Sequence, residues 1–273
     1  MMIPAGNTAK LVRVPDPANQ DFRISSVCDR LKLTEPTPVI ILAGAMGERA
    51  GKTLAGVCRA AVRSDAAIID SGLGSGIEKF CLRKHLALMG VAPDKEVIYP
   101  RINPVGKKNN ELTNGHTQFL LLGDCEDDEK WKDSKKRPKT FFWGDEAQVK
   151  LDLAKRLAAG RPKKNGPPPC KIVMVLVGDN ALCHKEVEAA LAMNIPTVIL
   201  DGSPLASKCM NTEEVKPEEM SDEKKKKLTN TQKEKMAAEH EAVNNIIKKR
   251  VFRCPDSSEE LAAIVHLLLT VTI

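Results

Sequence analysis

Residues 66–80, AAIIDSGLGSGIEKF, combine the residue types best suited to holding an anion. An apolar run ends at Asp70-Ser71, glycines follow at 72, 74 and 76, and a helical pattern opens at once. A glycine turn between a strand and a helix offers bare N–H groups and the positive end of a helix dipole. A Cβ there would block positive φ angles and the close approach of a phosphate. Ser71, Gly72, Leu73, Gly74, Ser75 and Gly76 are therefore candidate ligand contacts. The glycine spacing is not GxGxxG, so a tight turn without a ligand is the competing reading.

Five other stretches carry polar chemistry. GAMGERAGKT (44–53) comes close to a phosphate-binding P-loop, but Gly51-Lys52-Thr53 would need glycine at position 46, which is methionine. Gly44 and Ala45 remain as a bare wall, and Arg49 and Lys52 as plain cations for a phosphate or as exposed charges. In NGHTQF (114–119), Asn114, His116 and Gln118 alternate and share one side of an extended segment. They contact a ligand or knit a loop. His116 has no second His or Cys at metal-ligand spacing. Gly178 turns the chain into a helix, with Asp179 or Asn180 as its cap. Asp124 and Asp201-Gly202-Ser203 close two further apolar runs.

The elements that must position these corners follow from patterning. Hydrophobic residues make up 42% and aromatics 3% of the 273 residues, so the core is Ala, Val, Ile and Leu. That composition favours parallel strands covered by Ala-rich helices. Strands are predicted at 39–43, 66–69, 97–99, 119–122, 171–177, 196–200 and 251–253. Helices are predicted at 54–62, from 77 to about 89, 145–159, from 182, 231–250 and from 257 to about 269. Their alternation predicts an α/β fold: a doubly wound, mostly parallel, Rossmann-like sheet with helices on both faces and lysine-rich loop insertions. In such a sheet the corners at Gly44, Gly72, Asp124, Gly178 and Gly202 share one rim. Residues 1–20 read as a flexible arm and 21–273 as one domain, with insertions near 126–139, 161–169 and 211–235.

The net charge of +6 suits an anionic ligand. Scarce aromatics argue against nucleic acid. No CxxC pair occurs among the eight cysteines, no apolar run approaches a membrane span, and no signal core is present. A cytoplasmic protein without a metal or cofactor is expected.

These corners resemble the SLOG/LSDAT family, the Rossmann-like domain of the N-terminal cytosolic region of TRPM channels. The resemblance spans roughly residues 38–205. IIDSGLGSGIEKF is similar to the family's TGGxxTGVMK turn. Asn114-Gly115-His116-Thr117-Gln118-Phe119 resembles its Asn-His-x-His-Phe, and Phe119–Leu122 with Asp124 resembles the strand and acidic turn that follow. IVMVLVGDNALCHKEVEAALAMNIPTVILDGSP resembles its strand, turn, helix and closing strand. The resemblance implies a sensor for a nucleotide-derived or ADP-ribose-like ligand. Phosphates would lie over Gly72–Gly76, with Asn114, His116 or Asp201 on the sugar or base. The related lonely-guy enzymes hydrolyse nucleoside monophosphates through PGGxGTxxE. The matching corner, Val177-Gly178-Asp179-Asn180-Ala181, lacks the second glycine and the threonine. In that alternative, Glu186 or Asp70 would stabilise an oxocarbenium-like transition state. A third reading is a ligand-free interaction module that docks an acidic protein through the basic insertions. A homo-oligomer is a further expected assembly.

Overall fold

The computed structural model describes residues 8–14, 23–44, 50–74, 76–99, 110–123, 140–161, 168–178, 181–201, 251–255 and 257–271. The expected insertions at 126–139 and 211–235, most of that at 161–169, and the helix at 231–250 lie outside them.

Strand β2, Val39–Ala43, is buried along its whole length, as an apolar run in the middle of a parallel sheet must be. Its alternate residues enter two separate cores. Val39, Ile41 and Ala43 join one core, and Ile40 and Leu42 the other. β3 (Ala67–Asp70), β4 (Leu88–Pro93) and β5 (Gln118–Leu122) extend the sheet on one side of β2, and β1 (Lys10–Val14) closes that edge. β6 (Ile172–Leu176), β7 (Thr197–Leu200) and β8 (Val251–Cys254) extend it on the other side. The order is β1-β5-β4-β3-β2-β6-β7-β8, and every pairing is parallel.

Helices α1 (Ile24–Leu31), α4 (Ala147–Ala159) and α5 (Ala181–Ala192) supply the first core. Helices α2 (Ala50–Ser64), α3 (Ile77–Lys84) and α6 (Ser258–Thr270) supply the second. The doubly wound architecture is therefore as expected, and among the described strands it is wholly parallel.

Three local expectations are corrected. Lys10–Val14, expected within a loose arm, is an edge strand in register with Gln118–Leu122. The helix expected to reach Met89 stops at Lys84, because His85 takes a left-handed φ of 53°. The following strand is Leu88–Pro93; of the expected strand at 97–99, only Ile98 makes an isolated bridge, to Glu111. Gly90 and Pro93 disguise β4 in the sequence, since both residue types are depleted in strands.

Candidate functional site at the C-terminal edge of the sheet

In a parallel sheet every strand exit lies on one edge, and the crevice forms where neighbouring strands send their chains to opposite faces. Here that point lies between β2 and β6: β2 leads to α2 over the second core, and β6 leads to α5 over the first. Gly44 and Gly178 meet at the fork. Gly178 N–H points at the Ala43 carbonyl, 3.3 Å away. A Cβ on Gly44 would lie 2.3 Å from Gly178 N, and Gly44 has φ 107°. Only glycine fits that approach. Cys183, in the first turn of α5, packs beneath it.

The glycine turn after β3 is tied down more tightly than its sequence suggests. Gly72 N–H donates to Asp70 Oδ1 (2.7 Å), and the Gly72 carbonyl accepts from Thr113 N–H (3.1 Å). Leu73 bridges Leu112. Gly72 and Gly76 have positive φ, of 78° and 90°; Gly74 does not. Gly74 is exposed, and a Cβ there would meet only Thr113 Cγ2, at 3.4 Å. Ser71 is half-buried.

His116 is the post behind this turn. It is 2% exposed; Nε2 lies 2.8 Å from Asp70 Oδ1, and Nδ1 lies near the Thr113 hydroxyl and carbonyl. Its ring leans on Phe119, with centroids 5.0 Å apart. Burial opposes charging of the imidazole. The Asp70 charge and hydrogen bond, with help from Thr113 and Glu78, outweigh burial and hold its pKa above 6.5. Both ring nitrogens are engaged inside the protein, so His116 braces the turn rather than lining a surface. Asn114 sits half-buried beside it. Asp70 Oδ2, Glu78 Oε2 and Asn114 Oδ1 are buried and find no hydrogen-bond partner among the described residues. Such acceptors call for donors.

Under the other face of the rim lies a cluster that the sequence did not announce. Lys150 of α4, 3% exposed, donates from Nζ to Glu186 Oε1 of α5 (2.6 Å) and lies 3.5 Å from Glu146 Oε1. Glu146 Oε2 accepts from Gly144 N–H at 2.6 Å. Burial raises the Glu146 carboxyl above its usual range despite Lys150. For Lys150, burial disfavours the charge, but Glu186, Glu146 and Asp70 outweigh it and hold the ammonium. Glu186, a candidate for stabilising an oxocarbenium-like centre, is thus sheathed and paired. The turn at Phe142–Glu146 leaves a single mark in the sequence, the run Phe141-Phe142-Trp143 in so aromatic-poor a chain.

Asp201 stands two strands from β2, where its Oδ1 accepts from Arg253 Nη2 (2.9 Å) and Nε (3.1 Å). Lys52 lies in the first turn of α2. Ala45, Arg49, Ser75, Asp124, Asp179, Asn180, Gly202 and Ser203 lie outside the described residues.

A cavity of about 200 Å³ opens at the opposite edge, where β6 and β7 begin, lined by Cys170, Ile172, Met193, Ile195 and Leu268 among others. It holds none of the candidate residues. Among the described residues, no group of three or more His, Cys, Asp or Glu could hold a metal. No helix among them is long and apolar enough to cross a membrane.

Two solved structures are similar to the chain at a TM-score of 0.44. One is a molybdenum cofactor binding protein from Rippkaea orientalis, 8% identical, with 86% of this chain and 99% of that one covered. The other is the molybdenum cofactor carrier protein from Chlamydomonas reinhardtii, 13% identical, with the same coverage. No curated protein matches the chain. The family model described as "SLOG in TRPM, prokaryote" matches residues 37–248, well over half of the chain and all of the corners above up to Ser203. The chain belongs to that family.

Proposed function

We propose that this chain is a cytoplasmic sensor domain that binds a nucleotide-derived ligand of ADP-ribose type at the C-terminal edge of its sheet. One observation carries the reading. The exits of β2 and β6 part to opposite faces around a bare glycine contact, Gly44 against Gly178, and the glycine turn of β3 stands one strand away.

Gly72 N–H is spent on Asp70, so the phosphate seat narrows to the amides of residues 74–77 and the N-terminus of α3. Ser71 and Ser75 supply hydroxyls, Gly44 and Ala45 the opposite wall, and Arg49 or Lys52 charge. Asn114 or Asp201, with Gly178 and the 179–180 corner, contacts the sugar or base. His116 acts from behind by fixing Asp70.

Gly74→Asp tests the seat. The site is open enough for the fold to survive, so a loss of binding reads the added charge. Calorimetry with ADP-ribose should show binding to the parent chain and none to the variant. In a thermal-shift screen over nucleotides, cyclic nucleotides and ADP-ribose, a ligand at about 100 times its dissociation constant adds ~2.7 kcal/mol. If no ligand shifts the melting point, the reading falls and the fold serves as an interaction module instead.

A further inference from the structure

We propose that Phe142 is a stacking platform for the planar heteroaromatic ring of the ligand. The inference rests on the nucleotide-type reading above and deepens it by assigning the end of the ligand that the glycine corners do not hold.

Aromatic residues make up 3% of the chain, yet Phe141-Phe142-Trp143 stand together just ahead of α4, at the strand-exit edge. Their burial differs sharply. Phe141 is 4% exposed and enters the core under α4 and α5. Trp143 packs against the cluster built on Ala92, Phe119 and Leu121. The turn therefore passes from one hydrophobic cluster to another at this edge, and between the two anchors Phe142 is left 59% exposed.

The mount is stiff. Phe142 N–H donates to Asp145 Oδ2 and its carbonyl accepts from Asp145 N–H, both at 3.0 Å. Gly144, at φ 102°, abuts Leu182 of α5; a Cβ there would lie 2.8 Å from Leu182 Cδ2. Gly144 N–H is held by Glu146, which Lys150 ties to Glu186 of α5. The buried ionic cluster thus fixes the aromatic turn to the helix that leaves the β2–β6 fork. Trp143, next to Phe142, packs on the same cluster as Leu73 of the glycine turn. A rigid exposed aromatic anchored there suits a molecule with phosphate at one end and a flat ring at the other. Stacking on an aromatic side chain is worth about tenfold or more in affinity.

The test compares ADP-ribose with ribose 5-phosphate, which lacks the ring, by calorimetry on the parent chain, Phe142→Ala, Phe142→Leu and Phe142→Trp. Phe142→Ala and Phe142→Leu should weaken ADP-ribose about tenfold and leave ribose 5-phosphate unchanged, while Phe142→Trp retains or tightens ADP-ribose. Circular dichroism checks that each variant folds. Unchanged ADP-ribose affinity in Phe142→Ala would overturn the platform; continued loss of binding in Gly74→Asp would then leave the phosphate seat standing. Equal weakening of both probes would also overturn the platform, by showing that Phe142 acts through the shape of the turn. Failure of both probes to bind the parent chain would end both proposals.

Discussion

Lys150 Nζ lies 2.6 Å from Glu186 Oε1, with both side chains buried, and this pair joins α4 to α5 on the first-core side of the sheet. Because Glu146 also meets Lys150 and holds Gly144, one ammonium links two helices and the aromatic turn. Removing it strands two carboxylates in the core. Lys150→Met should therefore cost about 3–5 kcal/mol in urea unfolding. Lys150→Met/Glu186→Met should cost less than the single change, since a buried pair replaced by apolar side chains is often near neutral.

His116 and Asp70 predict a pH dependence. The folded pKa of His116 lies above the ordinary 6.5 of the unfolded chain. The stabilisation from its charge is therefore full below about pH 6.5 and is lost as pH rises through the folded value. Unfolding free energy measured from pH 6 to 9 should fall for the parent chain relative to His116→Gln. Parallel curves would show that the imidazole does not gain a proton on folding.

Gly90 and Gly74 should behave oppositely. A Cβ on Gly90 would lie 2.5 Å from Gly72 Cα and 2.8 Å from Phe119 Cδ1. Gly90→Ala should destabilise by about 1–3 kcal/mol through forced backbone movement. Gly74→Ala meets only Thr113 Cγ2, at ordinary contact distance, and should leave the melting temperature within about a degree or two.

The thiols should divide by burial. Cys28 is pushed up to about 11 by burial, against the lowering effect of Arg156. Cys81 is raised further by its contact with Cys58, 3.7 Å away, and by burial. Cys170 is half-buried. Timed alkylation read by mass spectrometry should label Cys170 before Cys28, Cys58 and Cys81, which should react only on unfolding.

The sequence alone determined the repeating units. Val39–Ala43 and Ile172–Leu176 announce central strands because burial on both faces demands unbroken apolar runs, and glycine corners after them mark where the chain turns. These are properties of neighbouring residues, so they survive in a one-dimensional reading. The order of the motifs likewise carried the family.

Tertiary structure decided what depends on distant partners. It set β2 beside β6 and thereby chose where the strand exits part to opposite faces. It made β4 a strand despite Gly90, because only a residue without a side chain lets Gly72 and Phe119 close over it. It turned His116 from a ligand candidate into a brace by bringing it to Asp70, 46 positions away. It also buried Lys150, which reads as an ordinary charge on an amphipathic helix, by supplying Glu186 from 36 positions further along. A charge can enter a core only when its counter-charge arrives with it, and the chain's winding, rather than its local pattern, delivers that partner.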